Sequence, residues 1–253
     1  MRSLIAVLDR LGIHWSVCPV CNAPADAPLC PACRAASGVD TRISRTNLGE
    51  YDLVFVGAYR APDAPSSDNE LSPLGRALVR FKDHGDRYAG RSLARLFAAA
   101  CAPVLPGFDA VVPVPPDPAR LRQRGLSPAF WFAHALARMA RIPLEPSLLR
   151  RTGPRRPQRG LAGAARRANV RGAFAASPSV TPGRAAVVVD DVTTTGATLT
   201  EAAQTLALAG ATHILCAVVA CADEELISRC RSKTARAGTS AIEPAIASTR
   251  DPP

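Results

Sequence analysis

The residues best suited to chemistry lie in one stretch, Ala186-Val187-Val188-Val189-Asp190-Asp191-Val192-Thr193-Thr194-Thr195-Gly196-Ala197-Thr198. Two carboxylates end an apolar, strand-like run, and a turn of hydroxyls and small residues then opens a helix. Such a turn lets backbone N–H groups wrap a phosphate, adds hydroxyl donors and carries the partial positive charge of a helix N-terminus. The adjacent acids would repel that phosphate, so they must face something else. Vicinal ribose hydroxyls or a hydrated Mg2+ suit them. The combination describes a sugar phosphate. Acids that merely capped a helix would leave the second carboxylate and the threonine run without a use. Neither a Walker A loop (Gly-x-x-x-x-Gly-Lys-Ser/Thr) nor a dinucleotide turn (Gly-x-Gly-x-x-Gly) follows a predicted strand, which argues against ATPases and NAD enzymes.

A second constellation is Cys18-Pro19-Val20-Cys21 and Cys30-Pro31-Ala32-Cys33. Paired Cys-x-x-Cys turns set four thiolates at tetrahedral zinc spacing, so Cys18, Cys21, Cys30 and Cys33 are candidate ligands of a closed, structural Zn2+. A thioredoxin-like redox pair would need to follow a strand and open a helix, which neither does. A site that has lost its metal is the remaining alternative. Cys101, Cys216, Cys221 and Cys230 are scattered, and Cys101 and Cys216 sit among apolar residues as core positions do.

The elements that must hold these residues follow from periodicity. Tyr51–Tyr59 has the β-branched and aromatic content of a strand, and Ala61–Leu71 reads as a loop. A helix over Ser72–His84 starts on Ser-Pro, shows apolar Leu74, Leu78, Val79 and Phe81 and stops at Gly85. Asp86 caps a second helix, with Tyr88, Leu93, Leu96 and Phe97 on one face up to Cys101. Phe108–Val114 is a buried strand whose exit is stiffened by prolines, and Ala129–Arg141 is helical. Gly153–Gly163, rich in Gly, Pro and Arg, is expected to be mobile. Strand Ala185–Asp190, helix Thr198–Ala209 and strand His213–Ala220 alternate as a doubly wound parallel α/β sheet should. The organisation expected is an N-terminal helix and zinc module over 1–40, the main domain over 50–221 and a largely disordered tail over 222–253 with a short helix at Asp223–Arg231.

Charge points to an anionic partner. The 31 Lys and Arg exceed the 21 Asp and Glu, giving +10. From Arg120 to Arg171 the only acid is Glu145, among thirteen arginines that include Arg120, Arg122, Arg124, Arg150 and Arg151. Such clustering favours nucleotides, pyrophosphate or nucleic acid. No stretch approaches the roughly 20 apolar residues that span a bilayer. The run Leu4–Leu8 is broken by Asp9 and Arg10 and does not make a signal peptide. A cytoplasmic protein without membrane insertion is expected.

The segment from Ala186 to Thr198 matches the phosphoribosyl-pyrophosphate (PRPP) signature of type I phosphoribosyltransferases. More of the chain resembles one branch of that superfamily, the ComF family associated with DNA uptake and competence. In order, the shared features are the two Cys-x-x-Cys pairs, Phe81-Lys82-Asp83-His84-Gly85-Asp86, the strand ending Val112-Pro113-Val114-Pro115, Arg124-Gly125, Pro157-Gln158 and Arg167-Ala168-Asn169-Val170-Arg171-Gly172-Ala173-Phe174.

The resemblance implies a type I phosphoribosyltransferase fold over roughly residues 4–221. Asp190 and Asp191 would hold the ribose hydroxyls and serve as the catalytic acids. The run Val192, Thr193, Thr194, Thr195, Gly196, Ala197 and Thr198 would bind the 5′-phosphate. The turn beginning Pro113-Val114 would occupy the pyrophosphate-loop position, with Lys82 in reach of the pyrophosphate and Mg2+ accompanying PRPP. Arg150, Gln158 and Arg167 would belong to a flexible loop closing over the site. Relatives usually follow Arg-Gly with an aromatic or aliphatic residue, Asn and Gln, whereas this chain has Leu126-Ser127-Pro128-Ala129. Two functions follow: transfer of phosphoribosyl from PRPP to an acceptor the sequence does not identify, or a DNA-handling protein, with single-stranded DNA or the competence machinery as partner, that reuses the fold.

Overall fold

The computed structural model describes residues 17–25, 28–39, 43–61, 70–152 and 171–236. Its elements in chain order are α1 (Pro31–Ala35), β1 (Ser44–Leu48), β2 (Tyr51–Ala58), α2 (Pro73–His84), α3 (Arg87–Cys101), β3 (Ala110–Pro113), α4 (Pro118–Arg124), α5 (Pro128–Ala140), β4 (Leu149–Arg151), β5 (Phe174–Ala176), β6 (Ala185–Thr193), α6 (Ala197–Leu208), β7 (His213–Cys221) and α7 (Glu224–Arg236). Five strands form one sheet in the order β1-β2-β7-β6-β3. The four from β2 to β3 run parallel, and β1 is an antiparallel edge. Strands β4 and β5 make a separate antiparallel ribbon.

Strand alternation sorts the side chains into two cores. Val54, Val56, Val187, Val189 and Leu215 face α2, α3 and α5, where Phe81, Phe97 and Phe132 are fully buried. Phe132 meets Phe81 and Phe97 edge-on, with ring centroids 5.7 and 5.9 Å apart. Leu53, Phe55, Val112, Val188 and Val218 face the other way, against Leu199 and Leu206 of α6 and Leu149 and Phe174 of the ribbon. Both faces are thus covered, as the unbroken apolar run before Asp190 requires. The parallel α/β sheet flanked by helices, with a four-cysteine module at its N-terminal side, is the architecture the sequence implied.

Local signals set the helix ends. Ser72 caps α2, its hydroxyl accepting from the Gly75 amide at 3.0 Å and donating to the Ala58 carbonyl at 2.6 Å. Pro73 follows at the first helical position and Gly85 ends the helix in the left-handed region. Asp86 caps α3 by accepting from the Tyr88 and Ala89 amides.

Several elements differ from the sequence-based expectation. Polar Arg34–Glu50 contains an unforeseen strand, β1, which buries only Thr46 and Leu48 and leaves its other residues to solvent, as an edge can. The short α1 and α4, and the ribbon, were also missed. Helix α7 continues five residues past Arg231. The N-terminal helix, the Gly153–Gly163 stretch and the tail beyond Arg236 lie outside the described residues.

The cysteine knuckles are bolted to the main domain by Ser37. Its fully buried hydroxyl donates to the Cys33 carbonyl at 2.7 Å and accepts from the Leu74 amide at 3.0 Å. Its carbonyl accepts from the Ala58 amide at 2.9 Å. Gly57 permits the approach, because a Cβ there would lie 2.7 Å from the Ser37 carbonyl oxygen. Replacing Ser37 by Ala strands a helix-start amide and a carbonyl in the interior. We expect a loss of about 1–3 kcal/mol in stability, read as a lower denaturant midpoint at unchanged slope.

Candidate functional site

Strands β3 and β6 are parallel neighbours, with Pro113 opposite Val189 and the Val114 amide donating to the Val189 carbonyl at 2.9 Å. From β3 the chain passes through α4 to α5 on the Phe132 side of the sheet; from β6 it enters α6 on the opposite side. The two connections therefore part at the carboxyl edge and open a crevice, the usual ligand position in such sheets. The turn from Pro113 to Pro116 forms one lip. Asp190, Asp191 and the turn from Thr193 to Thr198 form the other. Those two expected groups are brought together.

Strand β6 runs through both acids to Thr193, so Asp190 and Asp191 lie within a strand rather than beyond its end. Alternation directs their side chains to opposite sides. Asp191 continues the Val187 and Val189 row towards α2, where Lys82 Nζ lies 2.8 Å from its Oδ2, with the two side chains 14% and 16% exposed. Its other oxygen accepts from the Val192 amide at 2.7 Å, and Asp190 Oδ1 accepts from the Asp191 amide at 2.8 Å. Lys82, expected at a pyrophosphate, is here the counter-ion of an acid.

The turn after β6 is built around Gly196, whose φ of +72° is left-handed and whose missing Cβ leaves room for the Leu48 side chain of β1. Thr193 is buried, its carbonyl accepting from the Ala222 amide, whereas Thr194 is exposed and Thr195, Ala197 and Thr198 are half-buried. Val192 packs against the core. Helices α2, α3, α4 and α5 are each capped by a Ser or Asp side chain. Helix α6 begins on Gly196, which has no side chain to offer as a cap, and the Ala197 amide instead reaches the Thr195 hydroxyl at 3.5 Å.

Two other shared motifs meet here. Arg124, at the end of α4, lies 2.7 Å from Asp83 at the end of α2. Arg80, also on α2, pairs with Asp86 at 2.6 Å and donates to the Pro19 carbonyl of the first cysteine knuckle. Burial alone would raise the Asp86 carboxyl, but the Ala89 amide and the Arg80 guanidinium hold it below its ordinary value. Of the expected closing-loop residues, Arg150 is exposed on β4, and Gln158 and Arg167 lie outside the described residues. Its neighbour Arg151, which sequence reasoning did not single out, turns inward: its Nε and one terminal nitrogen donate to the Pro115 carbonyl at 3.3 and 3.2 Å.

Cys18, Cys21, Cys30 and Cys33 converge with all four sulfurs within 4.8 Å of one another, and Cys21 and Cys30 are 3.5 Å apart. Tetrahedral zinc–thiolate geometry asks for S···S distances of about 3.8 Å, so the set fits a four-thiolate metal. Burial would raise the Cys18 thiol, yet the amides of Cys30, Cys21 and Val20 bring it down to about 7. Cys33 is instead pushed up by burial and by its neighbour Cys30. Cys216 and Cys221, by contrast, are pushed up to about 12 by burial in the sheet and stay as inert thiols. The cluster is not a detached appendage. Tyr88 exchanges hydrogen bonds with the Val17 backbone, and Cys18, Leu29, Cys30 and Cys33 belong to the same core as α2 and α3.

A separate open depression of about 560 Å3, lined by Phe108, Arg141, Pro182 and Arg184 among others, lies at the amino edge of the sheet and contains none of the residues singled out above. No helix among the described residues is long and apolar enough to cross a membrane.

No protein-family model matches the chain. It is 34% identical over 153 residues to competence protein F of Haemophilus influenzae, a match spanning 57% of this chain and 66% of that protein, just under two thirds of its length. It is 29% identical over 219 residues to DNA utilization protein YhgH of Escherichia coli K12, covering 79% of this chain and 88% of that protein. Among solved structures it is similar to a glutamine PRPP amidotransferase from B. subtilis, at 25% identity and TM-score 0.35 over 51% of this chain and 25% of that one. Leishmania donovani UMP synthase is similar at 18% identity and TM-score 0.31, over 68% and 35%. By these two sequence matches the chain is a homologue of competence protein F and YhgH.

Proposed function

We propose that the crevice between β3 and β6 binds Mg2+–PRPP and that the protein transfers its phosphoribosyl group to an acceptor in a process tied to DNA uptake. The carrying observation is that one crevice sets the glycine-led start of α6 beside two adjacent acids, of which Asp191 already faces a cation. The first amides of α6 and the hydroxyls from Thr193 to Thr198 take the 5′-phosphate. Asp190 and Asp191 accept from the ribose hydroxyls, and the turn beginning Pro113-Val114 receives the pyrophosphate.

The donor set fits magnesium, because Asp191 holds a cationic group at 2.8 Å and the ligand's own oxygens complete a hard, oxygen-rich shell. When bound, the metal supplies charge stabilisation to departing pyrophosphate. Lys82 keeps Asp191 oriented when no ligand is present, and its ammonium moves to pyrophosphate oxygens once the ribose hydroxyls engage the acid. Transfer breaks the bond from ribose C1 to the pyrophosphate oxygen, which leaves with the electron pair, and forms a bond from C1 to the acceptor. Fixed amides and cations around the crevice stabilise the charge that shifts onto pyrophosphate. The four cysteines hold zinc in a structural role, a state that suits the reducing cytoplasm.

One observation favours an additional DNA-binding reading. Phe130 and Phe132 sit on α5, but only Phe132 is buried; Phe130 is 43% exposed and stacks on His134 with centroids 6.4 Å apart. It follows closely on Arg120, Arg122 and Arg124. An exposed aromatic beside cations is the platform on which single-stranded bases stack, and the name of the E. coli homologue refers to DNA utilization.

Calorimetric titration of PRPP with Mg2+ should show saturable binding, weakened about a hundredfold or more in an Asp190→Asn/Asp191→Asn variant. A wild type that takes up no PRPP would refute the donor site. For the cysteines, metal analysis after anaerobic purification should give about one zinc per chain, lost when Cys18 and Cys21 are changed to Ser. Single-stranded DNA binding should fall steeply with salt and by about tenfold in Phe130→Ala, with PRPP binding unchanged. Salt-insensitive or Phe130-independent binding would place the contact elsewhere.

A further inference from the structure

The turn that forms one lip of the crevice has an unusual shortage of donors. Pro115 and Pro116 have no N–H, so after the Val114 amide, spent on the Val189 carbonyl, the backbone offers no donor until Asp117. The Asp117 side chain is committed to the Ala119 amide at 2.8 Å, capping α4. The turn can therefore be fastened from outside only through its carbonyls. Arg151 does this. Two nitrogens of its guanidinium converge on the Pro115 oxygen at 3.3 and 3.2 Å, and the group lies 4.7 Å from the centroid of the Phe174 ring.

The support for this clamp comes from the ribbon. Arg151 and Phe174 are directly paired across β4 and β5, and Leu149 and Phe174 are buried in the same core as Val114 and Leu199. Next to the ribbon, Thr152 is tied back to the Ala173 and Gly172 carbonyls, and the Gly172 amide donates to Glu201 of α6 at 2.6 Å. The ribbon thus reaches both lips, the proline turn through Arg151 and the helix after Gly196 through Glu201. The outward-facing Arg150 shares none of these contacts.

We propose that Arg151 is a positioning residue for the pyrophosphate half of the ligand. Its planar fork, braced on Phe174, sets where the turn at Val114–Asp117 stands relative to β6, while the sugar-phosphate half depends on the acids and the α6 turn. The role rests on the PRPP reading above. A lysine keeps the charge but has neither the fork nor the plane, so it cannot replace the clamp.

The test uses the full zinc-loaded chain as wild type, Arg151→Met and Arg151→Lys, titrated with PRPP, inorganic pyrophosphate and ribose 5-phosphate in Mg2+. Hydrogen exchange is followed in peptides covering residues 114–121. Both variants should bind PRPP and pyrophosphate about tenfold more weakly, with ribose 5-phosphate held within about twofold. Exchange should quicken in the 114–121 peptides and stay as in wild type across α6. An Arg151→Lys variant that behaves as wild type would reduce the role to charge and overturn the clamp. An equal loss of all three ligands, or unchanged exchange at the turn, would overturn it too. A wild type that binds none of the three would bring down the PRPP reading and this role together, whereas binding without a selective loss would bring down the role alone.

Discussion

Val189 and Pro113 stand side by side in parallel register, yet the chain leaves β3 for one face of the sheet and β6 for the other. Two hydrogen-bonded strands cannot both continue at their carboxyl ends when their connections go opposite ways, and the gap that results exposes backbone amides and strand-end side chains. The rest of the site depends on that parting. It sets a proline turn against a carboxylate pair and the glycine-led start of α6. The full burial of Val187, Val188 and Val189 makes the register expensive to change, since a slip of one residue would turn Asp191 from Lys82 to the opposite core.

Helix α2 is the second constraint, because three charged residues within one turn reach four different partners. Arg80 holds Asp86 and the first cysteine knuckle, Lys82 holds Asp191, and Asp83 holds Arg124. Almost every cation in the chain is arginine; lysines occur only at positions 82 and 233. A compact ammonium makes a single contact and can be exchanged for another partner more readily than a bidentate fork. That difference suits Lys82 to an exchangeable contact with Asp191, and suits Arg151 and Arg124 to fixed positions. The charges on α2 join the cysteine cluster and the crevice without a long chain of intermediaries.

Much of this was legible because the relevant signals are local. Ser72-Pro73, Gly85 and Asp86 announce the ends of α2 and α3 through capping chemistry that needs no tertiary information, and the buried strands announce themselves through continuous apolar runs. The cysteine spacing likewise forecast the cluster now seen as four converging sulfurs. What could not be read depends on partners distant in sequence. Strand β1 has too few apolar residues to signal a strand and exists because β2 pairs with it. The division between Arg150 and Arg151 is a matter of one residue's alternation in a three-residue strand whose partner begins at Phe174. The engagement of Lys82 with Asp191 follows from packing α2 over β6, which no periodicity encodes. Phe130 stands next to Trp131 and Phe132 in the sequence, and only the angular offset along α5 separates it from the buried Phe132.

The cysteine centre bears on the crevice through this same geometry. A metal that organised an isolated knuckle would stabilise only the knuckle, since its binding free energy is spent where structure forms. Here Cys18, Leu29, Cys30 and Cys33 lie in one core with Leu74, Leu78 and Phe81 of α2, and Ser37 ties the end of the knuckle to the first turn of that helix. Binding of a metal by the four thiolates would therefore order the N-terminal half of α2 as well as the knuckle itself. Arg80 adds a contact to Pro19 two residues before Lys82. Loosening the knuckle would release one end of the helix whose other end carries the counter-ion of Asp191, so the cysteine cluster and the crevice share a single rigid element rather than a signal passed between them.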